Sequence, residues 1–135
     1  MYRPLGLAFA LLASTPAWAQ ASQDWFPGGS GISEPEIIPP AFRGRWAPDP
    51  ARCRDEDGVY GLSIFATGVE TYESGGRLER VTQSGQERSI KVKLAYEGEG
   101  EFWDTTETWT LDSTFQRLTI EGSTRSEPEV MIRCD

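Results

Sequence analysis

The chain has 135 residues, with 13 Lys+Arg against 21 Asp+Glu, no histidine and a formal net charge of −8 at pH 7. That length holds one hydrophobic core, the acidic balance argues against nucleic acid as a partner, and the missing histidine excludes Ser-His-Asp and Cys-His nucleophiles and histidine metal sites. Self-repulsion keeps such a chain in solution, and its field steers it toward basic surfaces.

In chain order, Arg3, the apolar run from Leu5 to Ala13 and the closing Ala17-Trp18-Ala19 predict an export signal over residues 1–19, and hence a periplasmic or secreted protein. The run is too short to span a bilayer, so no membrane span is expected. Residues 20–40 read as a flexible arm rich in proline and glycine, with Pro27-Gly28-Gly29-Ser30-Gly31 followed by Pro35, Pro39 and Pro40. The arm also holds Trp25, Phe26, Ile32, Ile37 and Ile38, more apolar surface than a spacer needs. These side chains either pack back onto the domain or insert into a partner, and Trp25, Phe26, Ile37 and Ile38 are the candidates for the second role.

Residues 41–135 form the predicted domain. From Phe42 onward the apolar period is two, with turn residues at short intervals, and no helical stripe persists. The clearest strand is Arg88 to Tyr96, where Ile90, Val92, Leu94 and Tyr96 share a face. Tyr60, Leu62 and Ile64 repeat the pattern, as do Leu118 and Ile120, and then Val130, Ile132 and Cys134, which the alternation turns inward. About eight strands fall near 42–46, 59–66, 69–73, 77–83, 87–96, 101–111, 115–122 and 129–134. Short connections imply nearest-neighbour antiparallel pairing, and eight such strands close into an up-and-down barrel, with a β-sandwich as the alternative. Leu78 and Val81 fall on opposite faces, which predicts a bulge in that strand or a weak seam beside it.

Cys53 and Cys134 are the only cysteines. In an oxidising compartment they are expected to pair, and a bridge closing so long a loop contributes about 4 kcal/mol in the loop-entropy account. Close C-x-x-C spacing is absent, which sets aside a redox or metal role.

The residues left for chemistry are few. Glu73, Asp104 and Glu107 lie in strands beside aromatics, where carboxylates could act as acid and base, but solvated strand faces explain them more simply. Asp55-Glu56-Asp57-Gly58 clusters hard oxygens without the spacing of a calcium loop, so it reads as an acidic turn and no metal is expected. Trp103 and Trp109 share one face with Thr105, Glu107 and Leu111. They are either core anchors or the lining of a lumen that stacks flat ligands. Glu107 between them needs a partner such as an arginine, or a wet site, and Trp103, Glu107 and Trp109 are the candidate ligand-binding residues.

Phe42-Arg43-Gly44-Arg45-Trp46 resembles the Gly-x-Trp opening of lipocalin-type barrels, in which the tryptophan plugs the closed end. From about Ile38 to Cys134, the segments Pro40 to Trp46, Cys53, Tyr72-Glu73-Ser74, Gly98-Glu99-Gly100 and Cys134 resemble a family of small exported alphaproteobacterial proteins. That resemblance implies a compartment and a disulfide, and no activity. The chain is also similar in plan to bacterial metalloprotease inhibitors, whose N-terminal arm blocks the protease. In size and in a cysteine near the C-terminus it resembles inhibitors of C-type lysozyme. Neither likeness carries a site onto these residues. The sequence thus leads to the expectation of a non-catalytic binding module without a cofactor, possessing as its specific form the inhibition of an envelope or foreign hydrolase. The alternatives are a small-ligand carrier and a structural or assembly factor of the envelope.

Overall fold

A computed structural model describes residues 36–83 and 87–134. Eight strands close into an antiparallel barrel in chain order: β1 (Gly44–Ala47), β2 (Leu62–Ile64), β3 (Gly68–Glu70), β4 (Gly75–Gln83), β5 (Ser89–Gly98), β6 (Glu101–Leu111), β7 (Arg117–Gly122) and β8 (Glu129–Cys134). The barrel closes where β8 pairs with β1, Trp46 opposite Arg133. The alternation that marks β5 in sequence is the alternation observed, with Ile90, Val92, Leu94 and Tyr96 buried between exposed Lys91 and Lys93. The break in the pattern of β4 is a bulge, since its register against β5 shifts between Leu78 and Arg80 and lets both Leu78 and Val81 pack against the core.

One end of the barrel is sealed. Gly44 has a φ of +125°, a backbone state that favours glycine, and a Cβ there would lie 3.0 Å from the Arg133 guanidinium. That guanidinium stands 4.3 Å over the Trp46 ring and donates to the carbonyls of Ala41 and Arg43, at 2.6 and 2.7 Å. Trp46 is fully buried, and its indole N–H donates to the Phe42 carbonyl at 3.0 Å. A 3-10 turn over Pro40–Phe42 brings Phe42 into the core beside it. Ile38 is fully buried in the same cluster, with its N–H donating to the Ala66 carbonyl.

A single turn of helix, α1 (Pro50–Cys53), is capped by the Asp49 carboxylate and lies against β1 and β8. It carries Cys53 to Cys134, and the two are disulfide-bonded with Cα atoms 5.4 Å apart. β8 turns the opposite face inward from the one its sequence predicts. Met131 pairs with buried Leu118 and faces inward, so Val130, Ile132 and Cys134 face outward. A one-residue change of parity exchanges the two faces of a strand, and Met131 and Arg133 hold the inward places because both serve the interior. The bridge therefore crosses the outside of the barrel.

No helix among the described residues is long and apolar enough to cross a membrane. The expected export signal over residues 1–19 and the arm residues Trp25, Phe26 and Ile32 lie outside the described residues.

Candidate functional site

The unsealed end of the barrel gathers the candidate chemistry. In β6 the odd-numbered residues face inward, so Trp103, Thr105, Glu107, Trp109 and Leu111 form one row from rim to centre. Trp109 is fully buried and packs against Phe42 at a ring separation of 6.4 Å, so it is a core anchor. Trp103, at 38% exposed, stands on the rim and stacks on Tyr96, its partner across the β5–β6 ladder. Their rings are parallel within 1°, with centroids 5.4 Å apart. Trp103 and Trp109 thus share a face but not a site, since Glu107 lies between them.

Glu107 departs from the expectation of a solvated strand face, for it is only 3% exposed. One carboxylate oxygen accepts from the Trp109 indole N–H at 2.7 Å, and the other lies 3.7 Å from the guanidinium of Arg125. Arg125 comes from the β7–β8 connection and also pairs with Glu129. Gly122 stands opposite Glu107 in the β6–β7 ladder, and a Cβ there would meet the Glu107 side chain at 2.9 Å, so the small residue makes room for the buried acid. The partner required by the sequence argument is therefore an arginine. Which arginine was not legible, because Arg125 lies in an irregular stretch with no periodicity to aim it.

This cluster sets the electrostatics of the mouth. Burial pushes the Tyr96 phenol well above its ordinary range, the Glu107 carboxylate adds to the rise, and Arg125 opposes it. Two side-chain polar atoms among the described residues are buried without a partner, the Thr105 hydroxyl and the Arg125 Nε. Both belong to residues of the mouth, and such atoms call for water or a ligand.

Around the rim of the mouth the outer surface is apolar in places. Phe102 is 75% exposed and Tyr72 60%, and both line an open groove of roughly 1280 Å³ that also includes Phe65 and Arg77. No family model, no curated protein and no solved structure matches the chain.

The remaining candidates separate from this site. Glu73 and Asp104 are exposed. Asp55 is engaged by Arg52 at 3.3 Å, and no cluster of His, Cys, Asp or Glu able to hold a metal occurs among the described residues. Of the arm, Ile37 is half-exposed, whereas Ile38 is core. Ile38 is thereby withdrawn from the partner-binding set, because presenting it to a partner would unpack the sealed end. Sequence reasoning missed Arg133 and Tyr96 as organising residues. Tyr96 was visible as an inward residue, but its stack on Trp103 depends on the register of two strands.

Proposed function

We propose that the protein is a non-catalytic binding module of the periplasm or extracellular space, and that it engages a protein through the rim of its mouth. The observation that carries this reading is the placement of its large apolar side chains. Those inside the barrel pack against one another, while Tyr72, Phe102 and Trp103 stand exposed at the open end. Exposed aromatics at a rim are the anchors that protein interfaces favour. The disulfide suits an oxidising compartment, and the export signal read over residues 1–19 gives the route there.

Inhibition of a hydrolase is the specific form of this reading, with residues upstream of Ile38 as the inserting element. Deleting residues 20–35 is expected to abolish inhibition with the melting temperature kept. The deletion must stop short of Ile38, which is a core side chain.

Native mass spectrometry of oxidised protein isolated with its compartment tests the module. The expected spectrum shows one protein partner at fixed stoichiometry, lost when Phe102→Ser and Trp103→Ser are introduced. A small-molecule adduct on an otherwise lone chain would overturn the reading. It would favour a carrier, for which the unpartnered Thr105 hydroxyl and Arg125 Nε are the supporting observation.

A further inference from the structure

The strands of the barrel differ in length, and β4 and β6 are among those that outrun a neighbour. β4 extends past β3, which pairs with it only from Gly75 to Arg77. The chain itself covers part of that edge: the Leu78 N–H donates to the Thr67 carbonyl, and the Val81 N–H donates to the Glu36 carboxylate at 2.9 Å. β6 extends past β7, which pairs with it only from Glu107 to Leu111. There the cover stops at Thr106, whose carbonyl accepts from the Ser123 N–H and whose N–H donates to the Ser123 hydroxyl.

The backbone parity beyond Thr106 is fixed. The Asp112 N–H donates to the Arg117 carbonyl and Thr106 bonds to Ser123, so even-numbered residues of β6 point their backbone toward β7. The Leu111 N–H donates to the Arg88 carbonyl, so odd-numbered residues point toward β5. The β5–β6 register runs without a shift from Ser89↔Thr110 to Gly98↔Glu101. The N–H and C=O groups of Phe102 and Asp104 therefore face an edge where the described chain supplies no strand.

An edge with free donors and acceptors is a template for another strand. The charge on the overhang decides which. Glu97, Glu99, Glu101 and Asp104 are all exposed, and no lysine or arginine occurs from Glu97 to Thr105. A second copy of the chain would bring two acidic overhangs together, and their like charges repel.

We infer that the overhanging edge of β6, from Glu101 to Thr105, docks an extended basic segment of a partner protein by adding it to the barrel as a strand. The added strand alternates its side chains. Those on the outer face meet Phe102 and Asp104, where lysine or arginine finds a ring and a carboxylate. Those on the inner face meet Trp103 and Thr105 at the rim, where an apolar side chain fits. The inference rests on the binding-module reading, and it specifies the partner's conformation and charge.

The test uses the oxidised full chain and a capped hexapeptide of alternating lysine and valine, read by amide hydrogen exchange in NMR. At saturation the Phe102 and Asp104 amides are expected to exchange about tenfold more slowly. The same peptide N-methylated at the amides that would face β6 keeps its charge, and it should protect neither. The exposed pair of substitutions Glu101→Lys and Asp104→Lys should shift preference to a hexapeptide of alternating glutamate and valine. Absent protection, equal binding of the N-methylated peptide, or peptide-free protection that grows with protein concentration would each overturn the inference, the last by assigning the edge to a second copy. Should the peptide arms fail while the native complex is still lost with Phe102→Ser and Trp103→Ser, the edge is excluded and the binding module stands.

Discussion

Glu107 and Trp109 lie two residues apart on one strand, and their bond illustrates how a charge is tolerated inside a small core. The carboxylate has the indole N–H on one oxygen and a guanidinium near the other, which offsets much of the cost of burial. Trp109→Phe keeps the ring's bulk and removes the donor, so it should cost about 1–3 kcal/mol in urea unfolding. A loss below the error of the measurement would mean that the carboxylate finds another partner. Tyr96 makes the pH prediction. Its phenol is held neutral by burial and by Glu107, so its contribution to stability is complete below the ordinary tyrosine range and is lost as pH rises above about 10. Ultraviolet titration should show one tyrosine ionising after the others, and Tyr96→Phe should remove the loss of stability at alkaline pH that the tyrosine causes. At this scale the sequence was readable only in part. It exposed the awkward carboxylate on an inward row, but it could not identify Arg125 or the Tyr96–Trp103 stack, because both depend on which atoms meet across strands.

Among the elements, the strands were legible because burial on one face writes a period of two into each of them. β5 and β6 were recovered nearly to their ends, and the broken parity of Leu78 and Val81 marked the bulge of β4 correctly. β8 was misread because Val, Met and Ile stand in succession at residues 130–132, so hydrophobicity alone did not choose a parity. What decided it was the inward demand for Met131 against Leu118 and for Arg133 over Trp46. The end of the arm was likewise ambiguous, since proline-flanked isoleucines serve a spacer and a plug equally well in sequence. Ile38 acts as a plug, and Ile38→Ala should destabilise the barrel by about 2–5 kcal/mol, read by thermal or chemical unfolding. A neutral result would release Ile38 from the core and return it to the partner-binding set.

For the whole molecule, closure of the barrel, the external disulfide and the sealed end act together. The bridge fastens α1 across the junction of β1 and β8, the pair that closes the sheet on itself. Replacing both cysteines by serine should lower stability by about 4 kcal/mol and leave the far-ultraviolet spectrum of any folded fraction unchanged. A double variant as stable as the wild type would show that closure does not depend on the link. With one end sealed by Trp46, Phe42 and Ile38, and with Glu107 buried against Arg125 beneath the mouth, the interior is a core and the proposed function is left to the rim. Exchange of the Trp109 indole N–H with solvent deuterium tests that claim most directly. Exchange as slow as global unfolding allows is expected, because that proton is buried against Glu107. Rapid exchange in the folded protein would put water beside Trp109, contradict the filled interior and make the lumen a ligand site.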